Sequence, residues 1–201
     1  MNLHEARRLF ATKPTARILA AYVVVTTAAR VAVGRWSWID AVIVVAILTA
    51  EPFTEWLIHV FVLHSRRDIS IARKHRAHHA DPRDLDILFI PMGVVALAPL
   101  IGIGLPLVGR AGLAHALTYG VTGFSMLLTY EWTHFLIHTT YQPRSSTYRR
   151  IWRAHRWHHF RNERYWFGVT VHTADRILRT YPARDDVPLS PTARNLGADL
   201  A

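Results

Sequence analysis

The chain has 201 residues, of which 51% are hydrophobic, and its 24 Lys and Arg against 14 Asp and Glu give a formal net charge of +10. This hydrophobic content excludes an intrinsically disordered chain. Cysteine is absent, which excludes disulfide bonds, iron–sulfur clusters and a cysteine nucleophile. A metal site in this chain therefore uses nitrogen or oxygen ligands.

Hydrophobic residues are concentrated in four stretches whose lengths approach the roughly 20 residues that cross a bilayer. These predicted spans cover residues 18–33, 38–62, 87–109 and 113–137. A signal peptide is the alternative for the first stretch, but its long leading segment and the lack of a small-residue cleavage site favour a retained anchor. We predict an all-α, multi-pass integral membrane bundle of about four helices that forms a single domain.

The positions of the basic residues predict the orientation of this bundle. Of the 24 Lys and Arg, 21 lie before the first span, between the second and third spans, or after the fourth span. Because basic residues accumulate on the cytoplasmic side, both termini and the middle loop are expected there. Residues 64–86 and 138–180 would then form a cytosolic helical cap, and 181–201 a flexible tail. Basic residues that flank membrane spans also argue against a nucleic-acid partner.

Histidine is the unusual residue of this sequence, and ten of the 13 histidines fall into four clusters. The clusters are His59 and His64, then His75, His78 and His79, then His134 and His138, then His155, His158 and His159. The two triplets share the spacing HxxHH, which places three imidazoles on one face of a helix. Because a pair followed by a triplet occurs twice, the sequence predicts two half-sites on the cytoplasmic side.

These clusters predict more than one metal ion. Imidazole suits iron, copper, zinc and nickel, and ten ligands exceed the four to six that one ion takes. His134 and His138 have the i, i+4 spacing that can chelate one ion. His59 and His64 are five residues apart, or about 140° on a straight helix. Either the helix unwinds near Val62 or this pair serves two ions.

Two carboxylates within the spans, and one further histidine, are candidates for supporting the ligands. Glu55 precedes His59 by one helical turn, and Glu131 is similarly placed before His134. Ionised groups in membrane segments are costly and usually functional, so we expect each carboxylate to accept the ring N–H of a ligand histidine. The alternative is a protonated acid that is bonded to a neighbouring helix. His172 is a candidate for an additional ligand or hydrogen-bond donor.

These segments resemble the fatty acid hydroxylase and sterol desaturase superfamily of membrane non-haem iron enzymes. The resemblance covers about residues 51–179 and is carried by EWLIHVFVLH, RKHRAHHADP, TYEWTHFLIH and RAHRWHHFRNERYWFGVT. It implies that the ten clustered histidines bind two iron ions at a cytosolic cap, although zinc can occupy such sites in purified material. After FGVT the family continues with an aromatic-Asp and Phe-Gly-Thr pattern. Here TADRILRT retains Asp175 as a further supporting candidate but lacks the aromatic residue and the glycine.

The activity implied by this resemblance is O2-dependent hydroxylation of an unactivated C–H bond in a lipid of fatty acyl, sterol or carotenoid type. Lipid desaturation is the alternative within the superfamily. The lipid substrate would enter from the bilayer, and no catalytic residue outside the metal centre is required. Electrons are expected from an external donor of cytochrome b5, ferredoxin or reductase type, because the sequence contains no GxGxxG motif and no cysteine cluster.

A histidine-rich metal or haem transporter is the alternative from another functional class. A transporter is expected to distribute polar ligands along the depth of its spans. In this chain the clusters gather at one end of the spans, and the other half of each predicted span is apolar. This distribution favours the enzyme.

Overall fold

The computed structural model describes residues 1–196 and contains helices but no strand within that range. The α-helices are α1 (Leu3–Thr12), α2 (Pro14–Val33), α3 (Trp38–Ile58), α4 (Ser70–Ala80), α5 (Met92–Pro99), α6 (Leu105–Val108), α7 (Leu113–His138), α8 (Ser146–Phe160) and α9 (Thr173–Ile177). Two π-helical turns, His59–Leu63 and Leu100–Gly104, follow α3 and α5, and a 3-10 turn covers Arg184–Asp186. The predicted all-α class is confirmed for the described residues.

Contacts divide the chain into two compact units. The first, which we call the histidine unit, comprises Met1–Arg8, Pro52–Phe89 and Thr133–Ala201, described as far as residue 196. The second, which we call the apolar unit, comprises Leu9–Glu51 and Ile90–Trp132. Helices α1, α3 and α7 contribute residues to both units.

Helix α2 of the apolar unit has clear start and stop signals. It begins at Pro14, after Lys13 in an extended conformation. Proline suits this position because its fixed φ is helical. It also lacks an N–H, but an N–H in the first turn of a helix has no acceptor within the helix. The helix ends at Val33 and is followed by Gly34, whose φ is +60° and whose N–H donates to the carbonyls of Arg30 and Val31.

The third apolar stretch begins later in the structure than the sequence predicts. A span was expected from residue 87, but α5 starts at Met92, immediately after Pro91. A residue that precedes proline is disfavoured in the helical conformation, so Ile90 remains outside the helix. The following π turn packs closely on α7, since a Cβ on Gly120 would lie 2.8 Å from Cγ1 of Ile103.

Within residues 1–196, two helical segments are long and apolar enough to cross a membrane. They are Pro14–Val33 and Trp38–Leu63, and Met92–Val108 is a shorter apolar segment. Apolar side chains on these segments point outward: Val25, Val45 and Val108 are 65%, 63% and 82% exposed. Exposed aliphatic surface of this kind is unfavourable in water and indicates association with a membrane.

The histidine unit contains α4, α8 and α9 and the irregular segments between them. Helix α8 is capped by Ser145, whose hydroxyl oxygen accepts the N–H of Tyr148 at 3.2 Å. A small core forms beside it, where the buried Trp166 packs with Ala154 and Val187. The indole N–H of Trp166 donates to the carbonyl of Pro182, which fixes the course of the chain after α9.

The segment after residue 181 is held to the histidine unit by its own backbone carbonyls. Arg161 Nε donates to the carbonyl of Val187 at 2.7 Å, and His79 Nδ1 donates to that of Ala193, also at 2.7 Å. The sequence instead predicts a flexible tail over 181–201. The composition of the segment carries no sign of this attachment because main-chain groups make these bonds. Residues 197–201 lie outside the described part of the chain.

Candidate metal centre

The ten clustered histidines converge within the histidine unit as two groups of five. The His59 group consists of His59, His64, His75, His79 and His158, and the His134 group consists of His78, His134, His138, His155 and His159. Within each group the candidate ligand nitrogens all lie within 4.8 Å of one another. The geometry therefore offers two adjacent metal positions that are built from imidazole alone.

Each HxxHH triplet is divided between the two groups. Helix α4 gives His75 and His79 to the His59 group and His78 to the His134 group. Helix α8 does the reverse, because it gives His155 and His159 to the His134 group and His158 to the His59 group. The i, i+4 members of each triplet thus stay together, whereas the middle histidine crosses to the other group. The sequence predicts that each pair and the triplet after it form one half-site, and the structure differs because the middle histidines are exchanged.

A π-helical turn brings His59 and His64 into one group. The N–H of His64 donates to the carbonyl of His59 at 3.1 Å, which is the i+5 to i bond of a π turn. This wider turn places residues five apart above one another, and their ring centroids are 4.9 Å apart. Of the two alternatives left open by the sequence, a change in the helix near Val62 describes the structure.

Backbone carbonyls orient several of the rings. The Nδ1–H groups of His59 and His158 donate to the carbonyls of Phe167 and Tyr165 at 2.6 and 2.8 Å. His138 donates in the same way to Pro82 at 2.8 Å. A neutral imidazole that donates from Nδ1 carries a lone pair on Nε2. These bonds therefore select the tautomer that binds a metal through Nε2.

The resulting donor set fits a metal ion. In the His59 group three rings donate from Nδ1, so the Nε2 lone pairs of His59, His79 and His158 enter one small volume. The Nε2 atoms of His59 and His79 are buried and have no hydrogen-bond partner among the described residues. Converging lone pairs repel one another unless a cation lies between them.

The distances between ring nitrogens support the same conclusion. The Nε2 atoms of His64 and His158 are 3.1 Å apart, as are those of His155 and His159, and those of His78 and His138 are 3.3 Å apart. Two nitrogens bound tetrahedrally to one zinc-sized ion would be separated by about 3.3 Å, given Zn–N bonds of about 2.0 to 2.1 Å.

Burial keeps these histidines of the histidine unit neutral. Removal from water lowers the pKa of His79 to about 3, although its bond to Ala193 acts in the opposite direction. Burial, and then neighbouring histidines, lower the pKa values of His75, His155 and His158 well below the usual range. Neutral imidazole is the form that binds metal, so these rings are prepared as ligands at neutral pH.

Glu55 and Asp175 both contact the segment that orients His59. The Glu55 carboxylate accepts the N–H of Val169 and both the N–H and the hydroxyl of Thr170. The Asp175 carboxylate accepts the N–H groups of Phe167 and Gly168 at 3.0 and 2.7 Å. The sequence predicts that Glu55 accepts the ring N–H of a ligand histidine. In the case of His59, the carbonyl of Phe167 receives the ring N–H.

The other two supporting candidates have different surroundings. Glu131 is buried and accepts the N–H of Ile90 at 2.7 Å, and both residues belong to the apolar unit. His172 is buried with Nδ1 3.5 Å from the Asp175 carboxylate, and its ring lies 4.8 Å from that of Tyr181. His172 belongs to neither five-histidine group.

Sequence reasoning missed the groups that accept the ring N–H bonds. They are the backbone carbonyls of Pro82, Tyr165, Phe167 and Ala193. A carbonyl is present at every residue, so no residue type marks these positions. Gly168 carries the one available signal: a Cβ there would lie 2.2 Å from the carbonyl oxygen of Val171. Only glycine allows the backbone to approach so closely.

Comparison with known proteins agrees with this geometry. Residues 43–180 match the family described as Fatty acid hydroxylase. The chain is 29% identical over 136 residues to the dihydroceramide fatty acyl 2-hydroxylase FAH2 of Arabidopsis thaliana, a match covering 64% of this chain and 55% of that protein. The chain thus spans about half the length of this relative.

A solved structure shares the fold. It is that of full-length Scs7p, in which only the hydroxylase domain is visible, with a TM-score of 0.69 and 24% sequence identity. The similarity covers 86% of this chain and 68% of that one. Together with the family match over residues 43–180, which include all ten clustered histidines, these comparisons show that the chain belongs to the fatty acid hydroxylase family.

Proposed function

We propose that this chain is a membrane-bound, non-haem di-iron oxygenase that hydroxylates an unactivated C–H bond of a lipid. The observation that carries the proposal is the pair of five-histidine groups in one unit. Membership of the fatty acid hydroxylase family supports hydroxylation. The similarity to a dihydroceramide fatty acyl 2-hydroxylase favours a fatty acyl chain over a sterol or a carotenoid as the substrate.

The ten histidines of the two groups would hold the metal ions. Bound iron supplies the redox chemistry that activates O2, which the side chains of this protein cannot supply by themselves. In the overall reaction R–H, O2, two electrons and two protons give R–OH and water. One oxygen atom enters the C–H bond, and the other is reduced to water.

The protein supports this reaction by fixing its ligands and limiting contact with water. His59, His79, His155 and His158 are at most 1% exposed. The carbonyls of Tyr165, Phe167 and Ala193 hold the rings in the tautomer that leaves Nε2 available. Rings that are already oriented do not lose rotational freedom when the metal binds, and this favours affinity.

The proposal includes the four-span arrangement with both termini and the 64–86 loop in the cytoplasm. The distribution of basic residues supports it, as do the outward-facing aliphatic side chains of α2 and α3. A lipid chain would then reach the metal centre from the bilayer in which it already lies.

Electrons would come from an external donor on the polar side of the histidine unit. A surface opening there is lined by His64 and flanked by Arg66 and Arg164. His64 belongs to the His59 group, so this opening is a short route from the surface to the metal centre. The two arginines favour a donor with an acidic surface.

The test is mass spectrometry of lipid extracts from cells grown under 18O2, with and without the chain. We expect a lipid that has gained one 18O atom, no such product with His158→Ala, and normal product with the exposed His4→Ala as a control. A product that has lost two hydrogens and gained no oxygen would instead identify a desaturase. Metal flux into vesicles without any altered lipid would support a transporter.

A further inference from the structure

The two metal positions are supported unequally by the surrounding protein. In the His59 group, His59, His79 and His158 each donate Nδ1–H to a backbone carbonyl. All three acceptors, at Phe167, Ala193 and Tyr165, follow α8 in the chain.

Three members of the His134 group lack equivalent support from the described residues. The Nδ1 atoms of His78, His155 and His159 are buried and have no hydrogen-bond partner there. His138, which donates to Pro82, has the bond that the other three lack. An imidazole that donates a hydrogen bond is a more basic ligand, so the two groups are expected to bind metal differently.

The acceptor for His59 belongs to a short segment, residues 167–170, that two carboxylates hold from different parts of the chain. Glu55 lies on α3 and accepts the N–H groups of Val169 and Thr170. Asp175 lies on α9 and accepts those of Phe167 and Gly168. Four consecutive N–H groups are thus fixed by two carboxylates, and hydrogen bonds to ionised acceptors are stronger than neutral ones.

The carboxylates are themselves held in place. Asp175 is 1% exposed and also accepts the hydroxyl of Thr180 at 2.6 Å, and that hydroxyl oxygen accepts the indole N–H of Trp56 at 3.0 Å. Glu55 and Trp56 are neighbours on α3. The same turn of α3 therefore holds the 167–170 segment directly through Glu55 and indirectly through Thr180 and Asp175.

We propose that Glu55 and Asp175 are positioning residues that set the metal affinity of the His59 group and leave that of the His134 group unchanged. They act through the Phe167 carbonyl, which lies 2.6 Å from Nδ1 of His59. A shift of this carbonyl removes the hydrogen bond that fixes the tautomer and basicity of His59. The inference rests on the proposed di-iron function, because it requires two bound metals.

The experiment measures iron retained by the purified, iron-loaded protein in detergent as chelator concentration is raised. The test variants are Glu55→Gln and Asp175→Asn, which preserve side-chain shape but replace one accepting oxygen with a donor. We expect one iron to be lost at about 10- to 100-fold lower chelator concentration, the usual scale for the loss of an outer hydrogen-bond partner. The second iron should be retained as in the unmodified protein.

Mössbauer spectra then identify the iron that remains. His158→Ala removes a member of the His59 group, and His155→Ala removes a member of the His134 group. The spectrum of partly stripped Glu55→Gln should match the iron retained by His158→Ala and differ from that retained by His155→Ala. Equal weakening of both irons, or loss of the iron in the His134 group, would overturn the proposal.

A milder variant keeps the test decisive if a carboxylate replacement does not fold. Thr170→Val removes only the hydroxyl that donates to Glu55, and it should weaken the same iron to a smaller extent. Unchanged retention of both irons in Thr170→Val and in every folded carboxylate variant would contradict the proposal. If the unmodified protein binds fewer than two irons, the di-iron function itself fails, which is a separate result.

Discussion

The Nε2 atoms of His64 and His158 lie 3.1 Å apart although the two residues are separated by 94 positions in the chain. His158 donates from Nδ1 to Tyr165, so its Nε2 carries a lone pair directed at His64. The turn after α3 and helix α8 are thus joined at a point that a metal ion would stabilise.

Replacement of His158 by alanine should reduce the amount of bound iron and abolish activity. This ring is fully buried, and it is the contribution of α8 to the His59 group. We expect His158→Ala to retain at most one iron per chain, measured by elemental analysis, and to give no oxygenated lipid. The exposed His4→Ala should retain two irons and normal turnover. Full activity in His158→Ala would remove this histidine from the site.

The metal-free protein should lose stability as the pH falls. Burial lowers the pKa of His79 to about 3 and lowers those of His75 and His159 well below the ordinary value of 6.5. The unfolded chain therefore binds protons below about pH 6.5 that the folded chain does not. Each additional proton reduces the free energy of unfolding by about 1.4 kcal/mol per pH unit.

Unfolding in denaturant at pH values from 8 to 5 measures this effect. Stability should be constant above the ordinary histidine pKa and should decrease progressively below it. A free energy of unfolding that does not change between pH 7 and 5 would show that these histidines take up protons equally in the folded and unfolded states.

Gly168→Ala should disrupt the segment that orients His59. A Cβ at this position would lie 2.2 Å from the Val171 carbonyl oxygen and 2.9 Å from the Asp175 carboxylate. Steric strain of this kind costs typically about 1 to 3 kcal/mol. We expect a lower melting temperature and weaker iron binding. Gly93→Ala is the matched control, since its Cβ would meet no atom within 4 Å and both properties should be preserved.

A buried ion pair should make a large contribution to the stability of the apolar unit. Arg30 donates to the Asp40 carboxylate at 2.9 Å and to the Thr118 hydroxyl at 2.7 Å, and Thr118 donates to Asp40 at 2.6 Å. Removal of one partner leaves a buried charge, which costs about 3 to 5 kcal/mol. Arg30→Met should therefore lower the melting temperature in detergent substantially.

The double variant Arg30→Met with Asp40→Leu distinguishes the contribution of the ion pair from the cost of leaving one buried charge unpaired. Because it removes both charges, it should recover much of the stability that Arg30→Met loses. A double variant that is less stable than either single variant would show that the ion pair itself, rather than an unpaired charge, determines the result.

Reporter fusions should establish the orientation of the chain. Arg110 lies between α6 and α7, in the short connection that the charge distribution places outside. A reporter inserted there should be on the opposite side of the membrane from reporters at Arg67 and at the C-terminus. A reporter at Arg110 on the same side as the C-terminus would contradict the four-span arrangement.

The sequence reveals the helices and the convergence of histidines because both depend on side-chain type. The fourth apolar stretch, predicted over 113–137, corresponds to α7 over Leu113–His138. The resemblance carried by the histidine clusters is confirmed by the family match. In each case a residue pattern, either apolar periodicity or histidine spacing, determines the result directly.

The division of the triplets could not be predicted from spacing. His75, His78 and His79 share one helix face, and only the position of α8 decides which of them meets His158. The sequence also could not predict that the carbonyl of Ala193 accepts the ring N–H of His79, because main-chain acceptors are the same at every residue. The π turn that aligns His59 with His64 depends on one hydrogen bond, and no residue in HVFVL marks it.

Because the middle histidines are exchanged, neither group is complete until α8 has been synthesised. A nascent chain that ends before α8 already contains His59, His64, His75 and His79, which are four of the five members of the His59 group. At the same stage the His134 group has three of its five members. The His59 group therefore reaches the usual four-ligand set of a structural zinc site while the chain is still on the ribosome.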